Sequence, residues 1–195
     1  LNTLAKHKNI DKNKIGITGY SYGGMVAFYT AYPKLLNLIS NGKQFAAYMP
    51  VYPGCDLVFK DLELVNKPML MLHAEFDDYA PTIDCINYVK KLKANNNPVE
   101  LKIYKGAYHG FISVREKEKE FLSDVGNFRN CAPGYITDEG YWFYNNKEWK
   151  NMTELDAVNA IWQECGQLGV TVGGTSEQQL QTILDTVNFF KKHLK

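Results

Sequence analysis

Residues 68–73 read PMLMLH, an apolar run with no alternation and so no side that could face solvent. A short run of that kind fits a strand buried on both faces, the usual condition of a parallel sheet covered by helices. The flanking chain agrees. Residues 14–19 (KIGITG) and 45–51 (FAAYMPV) are short apolar strands, and 99–104 (VELKIY) alternates as another. A helix is expected over 23–32, ended by Pro33. A second opens at Pro81, places Cys85, Ile86, Val89 and Leu92 at the helical period, and closes over 95–98. Strand, helix, strand, helix, strand is an α/β pattern: a parallel sheet with helices on both faces.

The remainder is less regular. Residues 1–9 read as the tail of a helix. Residues 111–150 form an irregular insertion holding the charged run REKEKE and an aromatic segment. Its DEG turn can centre a β-hairpin with Tyr135 and residues 141–144 on the arms. Residues 141–149 either form a substrate-facing lip or pack as a surface hairpin, the second being the simpler account. Two helices close the chain. One covers 153–168, with Leu155, Val158, Ile161, Trp162 and Cys165 on one face. The other covers 176–194, with Leu180, Ile183, Leu184, Val187 and Phe190 inward, behind a capping box of Thr175 and Gln178.

Composition excludes several function classes. The net charge is +1, and arginine occurs only at positions 115 and 129, which speaks against a nucleic-acid partner. No apolar run approaches the roughly 20 residues of a membrane helix. The four histidines and four cysteines show no metal-ligand spacing, so neither a metal nor another cofactor is expected. Cys55, Cys85, Cys131 and Cys165 leave two states open, four buried thiols or the disulfides Cys55–Cys85 and Cys131–Cys165.

Gly19-Tyr20-Ser21-Tyr22-Gly23-Gly24 matches G-x-S-x-G, between an apolar strand and a helix. In that setting a serine sits on a sharp turn, and glycines on either side let strand and helix approach closely. The helix N-terminus favours developing negative charge, and the Tyr22 backbone N–H is the expected oxyanion donor. A serine hydroxyl also needs a base. His7 and His193 lie on polar helical stretches and His73 closes an apolar strand, which leaves His109 in the glycine-flanked loop KGAYHGF. An acid should follow the third strand, giving the order Ser, Asp, His. Glu75, Asp77 and Asp78 stand there; Asp77 is the choice and Asp78 the alternative.

These segments resemble the dienelactone-hydrolase-like branch of the α/β-hydrolase superfamily. GYSYGG is similar to its nucleophile elbow, VYPGCD to its post-strand turn, HAEFDDYAP to its acid loop and YKGAYHGF to its histidine loop. The tail, with Cys165, GVTVGG and FFKKHL, resembles bacterial members. The resemblance implies a serine hydrolase with Ser21, Asp77 and His109 as its triad, acting on a small-molecule carboxylic ester or lactone. Because dienelactone hydrolases carry cysteine as nucleophile, Ser21 points away from a dienelactone and toward a general ester. A peptidase of the prolyl-oligopeptidase type and a catalytically silent binding protein are the competing readings. The resemblance also implies that this single domain is the C-terminal part of the fold, strands five to eight. Strands one to four and the second oxyanion donor are then missing, and the chain alone is expected to be poorly soluble and nearly inactive. Its cysteine pattern resembles that of exported members more than cytosolic ones. Oligomeric state is not legible.

Overall fold

The computed structural model describes residues 1–113 and 119–195. Its first half runs β1 (Gly16–Tyr20), α1 (Tyr22–Tyr29), α2 (Pro33–Ser40), β2 (Ala47–Val51), β3 (Leu57–Phe59), β4 (Met69–Ala74), α3 (Thr82–Ala94) and β5 (Val99–Tyr104). The second half runs β6 (Glu120–Asn127), β7 (Gly134–Ile136), β8 (Trp142–Tyr144), β9 (Lys147–Trp149), α4 (Glu154–Cys165), β10 (Gln167–Val172) and α5 (Ser176–His193).

The expected α/β architecture is present. β1, β2, β4 and β5 form a parallel sheet in that order. Successive side chains on a strand point to opposite faces, and the two cores follow that alternation. Tyr48, Met69 and Met71 join Phe28 of α1, Tyr32 before α2, Leu36 of α2, and Tyr88 and Leu92 of α3 on one face. Ala47, Met49, Val51, Leu72 and Ala74 pack with Phe111 and Phe189 on the other, under α5. The PMLMLH run is thus apolar because both its faces are buried. β1 and β5 are the outer strands of this sheet.

Two smaller sheets sit beside it. β6 pairs antiparallel with β10, and β7, β8 and β9 form a meander that continues from β3. Both disulfides, Cys55–Cys85 and Cys131–Cys165, are formed. The first ties the segment after β2 to α3, and the second ties the segment before β7 to the end of α4.

Several elements differ from the sequence reading. Residues 1–9 contain only a three-residue 3-10 turn at Leu4–Lys6. Pro33 does not merely end a helix; it occupies the first turn of α2, where its missing N–H costs nothing. The helix expected over 153–168 stops at Cys165, and Leu168 belongs to β10. In α5 the stripe of Leu180, Ile183, Leu184 and Val187 is exposed, while Thr182 and Phe189 are buried. Phe190 reaches Gly16, where a Cβ would lie 2.5 Å from its ring, so the helix lies against β1 through that edge. Ile86 and Leu155 are exposed as well. Most of the REKEKE run lies outside the described residues.

Candidate active site

Ser21 sits between β1 and α1 with φ 53° and ψ −118°. For a residue with a Cβ this conformation costs on the order of 1–3 kcal/mol, so its surroundings must hold it. The Ser21 N–H donates to the Val51 carbonyl at 3.0 Å, and its own carbonyl accepts from the Met25 N–H at 3.0 Å. A Cβ on Gly19 would lie 2.0 Å from the Gly23 carbonyl oxygen, and one on Gly24 would lie 2.6 Å from that of Val51. Gly23 faces open space. The close approach therefore needs Gly19 and Gly24, not Gly19 and Gly23 as the motif suggests.

Ser21, Asp77 and His109 follow the C-terminal ends of β1, β4 and β5, and parallel strands bring those ends to one rim. His109 Nδ1 lies 2.8 Å from Asp77 Oδ2, and His109 Nε2 lies 2.8 Å from Ser21 Oγ. A carboxylate only accepts, so Nδ1 carries the hydrogen and Nε2 accepts the Ser21 hydroxyl proton. Asp77 Oδ1 accepts the N–H groups of Tyr79 and Ala80, at 3.1 and 2.8 Å. Tyr52 and Tyr79 place their rings edge-on to the imidazole, each with centroids 4.8 Å away. His109 is 6% exposed, which shelters the chain of hydrogen bonds from water.

Asp78 has another task. Its carboxylate accepts the Thr171 N–H at 2.7 Å and the Thr171 hydroxyl at 3.0 Å, and pairs with Arg129 at 3.2 Å. It anchors β10 to the acid loop, and β10 in turn holds the histidine loop. The Tyr108 N–H donates to the Gly173 carbonyl at 3.0 Å, and the Gly173 N–H donates to the His109 carbonyl at 2.9 Å. The signal for this brace is the Val-Thr-Val core of GVTVGG, which has strand character although the segment as a whole resembles a family tail.

His73 is buried beside the site with Nε2 3.2 Å from the Pro53 carbonyl and Nδ1 accepting the Ala74 N–H at 3.1 Å. Burial holds its pKa below the ordinary value, against the pull of the Asp77 carboxylate 3.8 Å away. It is a neutral structural ring, as its place at the end of an apolar strand suggested.

Tyr22 supplies the first N–H of α1, a group with no acceptor inside its own helix. A cavity of about 270 Å³ opens over Ser21 and His109, and Tyr22, Met25, Asp56 and Phe128 form one wall. Those four residues are shared with a second cavity of about 310 Å³, lined also by Ile136, Trp142, Tyr144, Val158 and Ile161. The hairpin expected in the aromatic segment is present, with Tyr135 opposite Phe143 and Ile136 opposite Trp142, and Trp142 and Tyr144 also line the second cavity. Among the described residues, no group of three His, Cys, Asp or Glu is arranged to hold a metal ion. None of the described helices is long and apolar enough to cross a membrane.

Comparison with known proteins places the chain further. It is 27% identical over 107 residues to protein usf of Aquifex pyrophilus, and 26% identical over 107 residues to a putative carboxymethylenebutenolidase of Aquifex aeolicus. Each match covers 54% of this chain and 42% of the relative, so the chain spans less than half the length of these proteins. Among solved structures, a thermophilic esterase of Thermogutta terrifontis matches at 21% identity with a TM-score of 0.45. That match covers 56% of this chain and 50% of the esterase. The family model of the dienelactone hydrolases matches residues 1–132, the span that carries Ser21, Asp77 and His109, and the chain belongs to that family.

Proposed function

We propose that the protein is a serine hydrolase that cleaves a carboxylic ester or lactone through an acyl-enzyme, with Ser21 as nucleophile, His109 as base and then acid, and Asp77 as the group that orients it. The observation that carries this reading is the imidazole of His109, bonded at 2.8 Å to the Ser21 hydroxyl on one side and at 2.8 Å to the Asp77 carboxylate on the other. Family membership supports the hydrolase class.

In this reaction Ser21 Oγ attacks the carbonyl carbon while its proton passes to His109 Nε2. Asp77 keeps Nδ1 protonated and stabilises the imidazolium that forms. The carbonyl oxygen takes up negative charge beside the Tyr22 N–H, at the positive end of α1. Collapse of the tetrahedral intermediate breaks the ester C–O bond, and His109 returns the proton to the leaving alkoxide. Water, deprotonated by the same nitrogen, then attacks the acyl-serine and releases the acid. In a lactone the alcohol stays tethered, and the product is one hydroxy acid.

A fluorophosphonate probe tests the reading in the full-length protein. Wild type is expected to be labelled covalently and Ser21→Ala not. Failure to label the wild type, or equal labelling of both, would falsify the nucleophile assignment. A short acyl ester assayed beside a peptide amide separates the ester reading from a peptidase: the ester is expected to turn over and the amide not.

A further inference from the structure

The cavity over Ser21 and its neighbour share Tyr22, Met25, Asp56 and Phe128 as lining residues, and their charge is one-sided. Asp56 and Glu154 contribute carboxylates, and no lysine or arginine lines either cavity among the described residues. The nearby cations are engaged elsewhere, Arg129 with Asp78 and Lys147 with Glu164. The second cavity is otherwise apolar, walled by Phe128, Ile136, Trp142, Val158 and Ile161, with the Tyr144 ring beside them.

Asp56 stands at the junction. Its Oδ2 accepts the Tyr144 hydroxyl at 2.8 Å, its carbonyl accepts the Gly134 N–H at 2.6 Å, and its neighbour Cys55 is cross-linked to Cys85. The carboxylate is therefore fixed in place on the wall common to both cavities. Burial, reinforced by the negative charge of Asp56, pushes the Tyr144 hydroxyl pKa upward, so this partner stays a neutral donor and leaves the charge of Asp56 uncancelled.

We propose that the second cavity receives one arm of the substrate, that this arm is an apolar chain or ring without negative charge, and that Asp56 is the residue that excludes carboxylate-bearing substrates. This inference rests on the hydrolase reading of Ser21. An anionic arm would have to pass or lie beside a fixed carboxylate in a half-buried site, where like charges repel far more strongly than in water. The apolar wall would meanwhile remove that anion from solvent without supplying a cation. A neutral arm gains from burial alone, and an ammonium-ended arm finds a counter-charge at Asp56. Discrimination built on repulsion is a common route to specificity.

The test uses two sets of esters assayed on the full-length protein. One set carries a six-carbon acyl arm ending in methyl, carboxylate or trimethylammonium on a common alcohol; the other puts the same three ends on the alcohol arm. The remote charge leaves the reactivity of the carbonyl nearly unchanged. In at least one set, kcat/KM for the carboxylate-ended ester is expected to fall about 100-fold below the methyl-ended one, with the ammonium-ended ester equal or better. Asp56→Asn, which keeps an acceptor for Tyr144, is expected to bring that ratio within about tenfold. Equal turnover of all three ends in both sets, or an unchanged ratio in Asp56→Asn, overturns the inference while leaving the hydrolase reading intact. Calorimetric binding of the same esters to Ser21→Ala is the second readout. If binding follows the same order and Asp56→Asn erases it, but no ester is ever hydrolysed, the hydrolase reading falls and the charge selection stands. Binding indifferent to the end group removes the role of Asp56.

Discussion

Glu75 accepts the backbone N–H of Gly106 at 2.8 Å, which fastens the loop bearing His109 to the turn bearing Asp77. Gly106 has φ +73°, a conformation that glycine adopts freely, and the Glu75 side-chain bond adds to the backbone bonds from the Glu75 N–H to the Tyr104 carbonyl and from the Phe76 N–H to the Ala107 carbonyl that hold the same turn. Glu75 touches neither Ser21 nor His109 and acts through loop position only. Glu75→Ala is expected to lower kcat about three- to tenfold with little change in KM, because misplacing a base by a fraction of an ångström weakens only the chemical step. Steady-state kinetics beside an unchanged circular dichroism spectrum is the check. Glu75→Gln, which still accepts, is expected to recover most of the loss.

Asp77 and Asp78 are adjacent in sequence and divergent in space, and substitution separates their tasks. Asp77→Asn is expected to lower kcat about 10⁴-fold with the fold intact, since an amide in that place favours the wrong tautomer of His109. Asp78→Asn removes the charge facing Arg129 and weakens the two bonds to Thr171. It is expected to cost about 1–2 kcal/mol of stability and far less activity. Chemical denaturation and turnover measured on both variants distinguish them; a larger kinetic loss in Asp78→Asn would reverse the assignment of the acid.

The sheet was legible because its signal is local. PMLMLH can be buried only on both sides, and G-x-S-x-G between an apolar strand and a helix marks a sharp strand-to-helix turn. The meeting of Ser21, Asp77 and His109 at one rim was legible for a related reason, since each follows a recognisable strand. What escaped reading depends on contacts distant in sequence. The period of α5 marks Leu180, Ile183, Leu184 and Val187 as a core stripe, yet the helix meets the sheet through Thr182, Phe189 and Phe190. Pro33 reads equally as a stop or as a first-turn residue, and only the length of chain available for α2 decides between them. The choice of Asp77 over Asp78 turns on which carboxylate Thr171 captures from almost a hundred residues away. The place of Asp56 between two cavities has no sequence signature at all.

His73 makes stability depend on pH in a definite direction. Its ring is fully buried and burial lowers its pKa below 6.5 in the folded protein. Once unfolded, the ring regains its ordinary pKa, so below that pH the unfolded state binds a proton that the folded state refuses. Folding stability is therefore fully present above the ordinary histidine pKa and falls as pH drops below it, until the depressed folded-state pKa is reached. His73→Gln is expected to be less stable by about 1–3 kcal/mol at neutral or higher pH, because the Pro53 and Ala74 partners are poorly met. It is also expected to show a shallower decline as pH falls below about 6.5. Urea denaturation series across that range, with constant m-values, measure both effects.

The elbow around Ser21 offers a sharper test of geometry against motif. Both Gly19 and Gly23 belong to the G-x-S-x-G pattern, so the pattern alone predicts that each resists substitution. A Cβ at Gly19 would lie 2.0 Å from the Gly23 carbonyl oxygen, and since that obstacle is backbone it cannot rotate away. Gly19→Ala must push β1 and α1 apart, and is expected to lose roughly 3 kcal/mol or more together with the placement of Ser21. Gly23 has nothing within 4 Å of where its Cβ would stand, and it occupies the first turn of a helix. Alanine there removes the conformational freedom of glycine from the unfolded chain without a clash. Gly23→Ala is therefore expected to retain activity and to gain up to about 1 kcal/mol. Thermal melts and ester turnover on the pair decide the matter. Equal damage in both variants would mean that the second glycine serves something other than packing, such as the approach of the substrate to the Tyr22 N–H.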